Sequence, residues 1–158
     1  MIRLSSTMQN EIEQHGSRDF PNECCGVLLG EINGQDKIVT EVRPLPNAFS
    51  PSDEFERSVL KAGETEAPLG QVGQERRYML SPDTMFKLMQ EERRTGVKIL
   101  GFYHSHPNHP ALPSEYDRTW AMNWYTYIIV SIIDGSPAEM TAWSLDRDQR
   151  FQTVEIAR

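Results

Sequence analysis

One stretch constrains the local geometry of this chain more tightly than any other. In VKILGFYHSHPNHPALPSEYD, residues 97–117, an apolar run leads without a break into three histidines, two of them separated by a single serine. VKILGFY reads as a strand that delivers the chain directly to His104. Side chains of a strand alternate with period two, so His104 and His106 project from one face while Ser105 points away. Two imidazoles can then share one ion. Asp117, eleven residues after His106, falls in the first turn of a predicted helix, SEYDRTWAMN, from which its carboxylate could swing back over the loop. Two histidines and one carboxylate, with a fourth position left to water, is the ligand set of a catalytic zinc site rather than a structural one. The same residues also support a plainer reading. Ser114 and Asp117 match S-x-x-D, a helix capping box, and His-Pro pairs occur in ordinary loops. A capping Asp117 competes with a ligating Asp117 for the same oxygens, whereas Ser114 could cap while its hydroxyl points toward the site. Packing alone accounts poorly for His-x-His, because two histidines on one face need buried partners or solvent.

The rest of the chain sets the frame. Its 158 residues, 38% apolar and 25% charged, describe one soluble domain with one core. A chain of this size buries enough surface to fold without a disulfide or a structural metal, so any metal is free to be catalytic. The net charge of -7 argues against a nucleic-acid binder and against attraction to anionic lipid. The longest uncharged apolar stretch, Tyr125 to Ile133, falls far short of the roughly 20 residues that span a bilayer. The opening MIRLSSTMQNEIEQ has no signal-peptide core, and a cytoplasmic protein is expected. The only cysteines, Cys24 and Cys25, are adjacent, which suits neither a disulfide framework nor a C-x-x-C pair and fits a reducing compartment.

Along the chain, Leu4, Met8 and Ile12 recur at helical spacing, and His15-Gly16 is the expected helix end. A turn, DFPNE, introduces the buried strand CCGVLLG, and Asn33-Gly34 predicts a hairpin into KIVTEV. Residues 44–76 show no sustained period and read as one long loop or insertion, a kind of segment that is usually functional or disordered. Ser81-Pro82 supplies an N-cap and a first-turn proline for a second helix with Met85, Leu88 and Met89 on one face and Gly96 at its end. YTYIIVSII, AEMTAWSL and RFQTVEI follow as strands. The fold class expected is α/β: one domain over residues 1–158, with a mixed central sheet flanked by helices. Trp120 and Trp124, four apart, are expected to be core residues of the helix after Asp117, and His109, Arg76-Arg77 and Arg93-Arg94 to be solvated.

Other metal signatures fit less well. HSHPNH is one substitution from H-x-H-x-D-H, the binuclear pattern of metallo-beta-lactamase-like hydrolases, with Asn108 where the aspartate belongs, and no histidine follows His109. A cupin site fails for the same reason. A two-His, one-carboxylate iron site is chemically possible but belongs to a double-stranded barrel that this helix content does not suit.

The chain resembles the JAMM (MPN-plus) metalloproteases, whose signature is a distant glutamate followed by H-x-H, seven residues, S, two residues and D. Here it reads Glu23, His104-Ser105-His106, PNHPALP, Ser114, Glu115-Tyr116, Asp117, with every interval kept. PNECCGVLLG, in which Glu23 follows a Pro-Asn turn, is similar to the family's first strand. The resemblance implies a cytidine-deaminase-like MPN fold, a Zn2+ ion on His104, His106 and Asp117, Glu23 as the general base and acid, and Ser114 as a donor to the developing oxyanion. Cys24 and Cys25 follow the family's pattern as small strand and core residues.

The family's activity implies hydrolysis of peptide or isopeptide bonds at the C-terminus of ubiquitin-like proteins. This compact chain looks most like the prokaryotic stand-alone branch, whose members act on sulfur-carrier proteins of the ThiS or MoaD type and release cysteine or a terminal residue that masks the Gly-Gly end. An isopeptidase removing a ubiquitin-like modifier from lysines is the second reading, and a non-catalytic MPN scaffold the third. The loop at 44–76 departs from the shortest family members and is expected to wall the carrier or its tail.

Overall fold

The computed structural model describes residues 1–50 and 73–158. Its strands form one mixed sheet. β1 (Ile2–Arg3) precedes helix α1 (Ser6–Asp19), followed by the hairpin β2 (Cys25–Asn33) and β3 (Asp36–Leu45). Helix α2 (Pro82–Thr95) leads to β4 (Lys98–Pro107), the short helix α3 (Glu115–Trp120), the hairpin β5 (Thr126–Ile133) and β6 (Ser136–Leu145), and two closing strands, β7 (Phe151–Thr153) and β8 (Ile156–Ala157). The sheet order is β7-β6-β5-β4-β2-β3-β1-β8, with β4 and β5 parallel.

The order implies closure. β7 pairs with β6 at one end of the sheet and β8 pairs with β1 at the other, yet only Val154 and Glu155 separate them. The sheet must therefore curl until its two ends meet. Val154 donates to Ala142 O and Ile2 to Glu155 O across the seam. The expected single strand RFQTVEI is thus two strands, because the chain steps from one edge to the other in its middle.

Helix α1 lies against one face of the sheet. Ser5 caps it, its side chain accepting from Met8 N, and Ile12 is fully buried. The helix does not end at His15-Gly16 but continues to Asp19. A Cβ on Gly16 would lie 2.8 Å from Ile132 Cδ1, so the glycine serves the close approach of helix to sheet rather than termination. The hairpin forms where expected, with Asn33 opposite Asp36 and Gly34 at φ 62° opening the two-residue turn. Helix α2 begins at the Ser81 cap and Pro82 and ends on Gly96 at φ 81°, as its punctuation predicts. It packs Leu88 and Met85 on the opposite face, while Met89, expected on the same side, is half exposed.

Two cores follow from the two faces. Leu4, Ile12, Leu28, Tyr103 and Ile128 pack on the α1 side, and Val27, Leu29, Leu88, Phe102 and Tyr127 on the α2 side. Alternation along β4 is broken once. Leu28 pairs with Gly101 and Leu29 with Ile99, so Leu100 is an extra residue bulged out of the ladder. Strict alternation from Ile99 would send residues 101, 103 and 105 toward α2. The bulge reverses the parity, so Phe102, His104 and His106 take that face, and Tyr103 and Ser105 take the α1 face. Lys37 secures this end of the sheet, its Nζ donating to Leu100 O, Trp124 O and Thr126 Oγ1. Burial pushes that amine down to about 8.

Gly101 is required at the bulge, since a Cβ there would fall 1.8 Å from the carbonyl oxygen of Thr126, an atom of a paired strand that cannot move aside. Gly101→Ala is expected to destabilise the protein by about 3 kcal/mol, the upper range for overpacking, read as a lower midpoint in equilibrium urea unfolding. An unchanged midpoint would contradict the β4–β5 register. Among the described residues no helix is long and apolar enough to cross a membrane.

Candidate active site

The end of β4 carries His104 and His106 toward α2, and the loop beyond it returns to α3. Ser114 caps α3, its Oγ accepting from Asp117 N at 3.1 Å, while Asp117 Oδ2 accepts from both Ser114 N and Ser114 Oγ at 2.6 Å. The capping box is therefore real. It does not exclude a ligand role, because the carboxylate divides its oxygens. Oδ1 lies 3.0 Å from His104 Nε2, and Oδ2 lies 3.6 Å from His106 Nε2 while serving the cap. The competition expected for Asp117 is resolved by this division.

The two imidazoles face each other, Nε2 to Nε2, at 3.0 Å. His106 Nδ1 lies 2.9 Å from Pro110 O, and a carbonyl can only accept, so the ring proton sits on Nδ1 and Nε2 presents its lone pair. His104 is held by stacking: the Tyr78 ring lies on it with centroids 4.4 Å apart. His104, His106 and Asp117 are all buried, and one donor atom from each lies within 4.8 Å of the others. A lone pair of His106, the His104 Nε2 and a carboxylate converging in a buried space suit a shared positive centre, which a divalent cation supplies. The donor set therefore fits the metal that the spacing implies. Burial pushes His104 down, which keeps it neutral as a ligand must be. Burial opposes ionisation at Asp117 too, but the two histidines hold its carboxyl well below the usual carboxylate range.

Glu23 reaches the same place from the other side of the chain. Cys25 stands opposite His104 in the β2–β4 ladder, so Glu23, two positions earlier, is delivered to the histidine end of β4. Its backbone is clamped, the N–H donating to Gln74 O at 2.7 Å and the carbonyl accepting from Asn47 Nδ2 at 3.1 Å. Ser105 Oγ, on the α1 face, accepts from Cys24 N and ties the two segments together. The Glu23 side chain is only 7% exposed. Burial pushes its carboxyl up to about 8, opposed by the neighbouring His106 and by the guanidiniums of Arg77 and Arg76. Glu23, His106 and Ser114 line one cleft of about 220 Å³ together with Arg76, Arg77, His109, Pro110 and Leu112.

Several residues of this site carry no recognisable sequence signal. Asn47 is the hub of the wall: Nδ2 donates to Glu23 O and Arg77 O, and Oδ1 accepts from Phe49 N and Met79 N. Tyr116 OH donates to Tyr78 O, placing the ring that stacks on His104. Only the ends of the long 44–76 segment can be placed: β3 runs to Leu45, and residues 46–50 and 73–76 belong to this wall, while 51–72 lie outside the described residues. Arg76 is exposed as expected. Arg77 is half-buried, its guanidinium 4.6 Å over the Tyr116 ring. Trp124 is not a core helix residue, because α3 ends at Trp120 and Trp124 is 62% exposed. Trp120 does pack against Tyr116. His109 is exposed at the cleft rim. Cys24 and Cys25 are free and buried, and burial raises both thiols, Cys24 to about 12, so neither is a nucleophile.

A curled mixed sheet that presents two histidines from the end of one strand and an aspartate from the next helix defines a JAB/MPN-type domain. This chain belongs to the prokaryotic homologs of the JAB domain, whose family pattern matches residues 5–146. It is 30% identical to a desampylase of Haloferax volcanii over 99% of this chain and 95% of that protein. To a probable TtuB-protein conjugate cleaving protease of Thermus thermophilus it is 31% identical, over 75% of this chain and 62% of that one. The solution structure of a protein from Desulfitobacterium hafniense superposes with a TM-score of 0.72 at 26% identity, covering 99% of this chain and 91% of that one.

Proposed function

We propose that this protein is a zinc-dependent peptidase that hydrolyses the bond following the C-terminal Gly-Gly tail of a small ubiquitin-like or sulfur-carrier protein of the ThiS or MoaD type. The observation that carries this reading is the grouping of His104, His106 and Asp117, with the buried Glu23 lining the same cleft as His106. His104 Nε2, His106 Nε2 and an Asp117 oxygen would hold the ion. When bound, zinc supplies Lewis acidity to a water molecule and to the scissile carbonyl.

The residues of this chain do the rest. Glu23 accepts the proton of the attacking water on its carboxylate and returns it to the leaving amine. It must be ionised to begin, and a neighbouring divalent cation favours the carboxylate that burial alone disfavours. Ser114 donates to the oxygen that gains charge. Its hydroxyl is engaged with Asp117 Oδ2, so this role needs a rotation about its side-chain bond. The buried His104, with the Tyr78 ring stacked on it, limits access of bulk water from that side.

The names of the Haloferax and Thermus relatives support a ubiquitin-like conjugate as substrate and favour a second reading, an isopeptidase acting on modified lysines. Location in the cytoplasm accords with both. Mass spectrometry of two substrates separates them: a carrier extended by one residue after Gly-Gly, and the same carrier joined to a lysine side chain. Cleavage of the first, abolished by chelator and restored by zinc, is expected. Cleavage of the second alone would move the assignment to isopeptides, and cleavage of neither would remove the proposal.

A further inference from the structure

Arg76 and Arg77 are out of character in this molecule. The chain carries a net charge of -7, yet one wall of the cleft presents two guanidiniums, and neither makes an ion pair among the described residues. Two guanidiniums free of carboxylate partners on one cleft wall give that wall a local positive potential, which attracts an anionic group entering the cleft.

Their placement is built. Arg77 lies over the Tyr116 ring, and its Nη1 donates to Arg76 O at 2.7 Å. Its own carbonyl accepts from Asn47 Nδ2, and Arg76 N donates to Gly73 O. The side chain that fixes Arg77 through its backbone is therefore the one that fixes Glu23. A planar guanidinium held this way matches a carboxylate in a two-point contact, which a mobile surface arginine cannot hold at the same low entropic cost.

Chemistry indicates which carboxylate. In an α-amino acid leaving group the carboxylate is separated from the departing nitrogen by one carbon. Glu23 must reach that nitrogen to return its proton, and the charges of Arg77 and Arg76 are felt at Glu23. The ε-nitrogen of a lysine carries no carboxylate at that distance. We infer that Arg76 and Arg77 form a clamp for the free α-carboxylate of a single amino acid attached after the tail, making them specificity residues that select a carboxyl-terminal peptide bond over an isopeptide bond. This inference rests on the peptidase reading above.

Binding tests it without turnover. The zinc-loaded Glu23→Gln protein is titrated by calorimetry with a tail peptide ending Gly-Gly-Ala as the free acid, with its C-terminal amide, and with an amide whose last residue is Asp. The free acid is expected to bind roughly 10- to 100-fold more tightly than the alanine amide, the range for a charge-assisted contact. Adding Arg76→Gln and Arg77→Gln should bring that ratio to about 1, and Arg77→Lys should leave an intermediate ratio because it keeps charge without the fork. A ratio that persists in the double variant would assign the carboxylate to the metal and overturn the clamp. Equal binding of acid and alanine amide, or equally tight binding of the Asp amide, would overturn it too.

The two proposals fail differently. If the wild-type enzyme cleaves acid and amide peptides with equal kcat/KM, the clamp falls and the peptidase stands. If it cleaves neither while the arginine-dependent binding preference holds, the peptidase reading falls and takes the selection of a peptide bond with it, leaving only a carboxylate-binding site.

Discussion

Glu23→Gln is expected to lower turnover by about 10³-fold while leaving one zinc per chain. Loss of a general base usually removes 10²- to 10⁴-fold, and here the same group also serves the leaving amine. The amide preserves shape, so the backbone contacts to Gln74 and Asn47 should hold. Parallel measurement of kcat and metal content checks this. A non-catalytic scaffold would show no functional change, and loss of metal would mean that Glu23 is a ligand.

The same substitution has an opposite effect on stability in the metal-free protein. Burial penalises the charge of the folded carboxyl and pushes it up to about 8 from an ordinary value of 4.5. Between those values the folded state keeps a proton that the unfolded state has released. Stability contributed by this group therefore falls as pH rises through the window, and above pH 8 the penalty is complete. Gln cannot ionise. In chelator, Glu23→Gln should be more stable than the wild type by a few kcal/mol, on an order-of-magnitude reckoning, at alkaline pH, with the difference vanishing toward pH 4. Denaturant midpoints across pH measure it; a constant difference would show that Glu23 is not the group responsible.

Asp117→Ala is expected to abolish both retained metal and hydrolysis and to destabilise the fold by roughly 3 kcal/mol, the upper scale for losing hydrogen bonds to a buried charged group. One side chain here holds two structures. Its Oδ1 faces His104, and its Oδ2 receives two donors from Ser114. Removal leaves Ser114 N without its capping partner and two buried imidazoles without the carboxylate they face. Ser114→Ala separates the parts, since it should cost only about 1 kcal/mol through the cap and keep the metal. Metal analysis after dialysis, paired with urea unfolding, distinguishes them; stoichiometric zinc in Asp117→Ala would rule it out as a ligand.

How far the site was legible follows from how local each part is. His104 and His106 lie two apart on one strand and Asp117 in the next helix, so a period of two and a capping pattern suffice to put them together. The hairpin at Gly34 and the ends of α2 at Ser81 and Gly96 were legible for the same reason, since turns and caps are set by neighbouring residues. Gly16 misled because its signal as a helix breaker is identical whether it ends a helix or lets a helix approach Ile132. RFQTVEI misled because its apolar pattern does not reveal that its halves pair with different edges.

The sequence by itself determined that His104, His106 and Asp117 come together and that Ser114 and Asp117 form a cap, and through resemblance it pointed to Glu23, since each is encoded by spacing or by residue type. Tertiary structure alone decided which face the histidines take, because the bulge at Leu100 reverses their parity. It also decided that Glu23 is buried beside them, tied in by a contact such as that of Cys24 with Ser105, 81 positions apart. Asn47, Tyr78 and Arg77 were visible only there. Their roles arise from hydrogen bonds and ring contacts between segments distant along the chain, and no local pattern records which distant partner a side chain will meet.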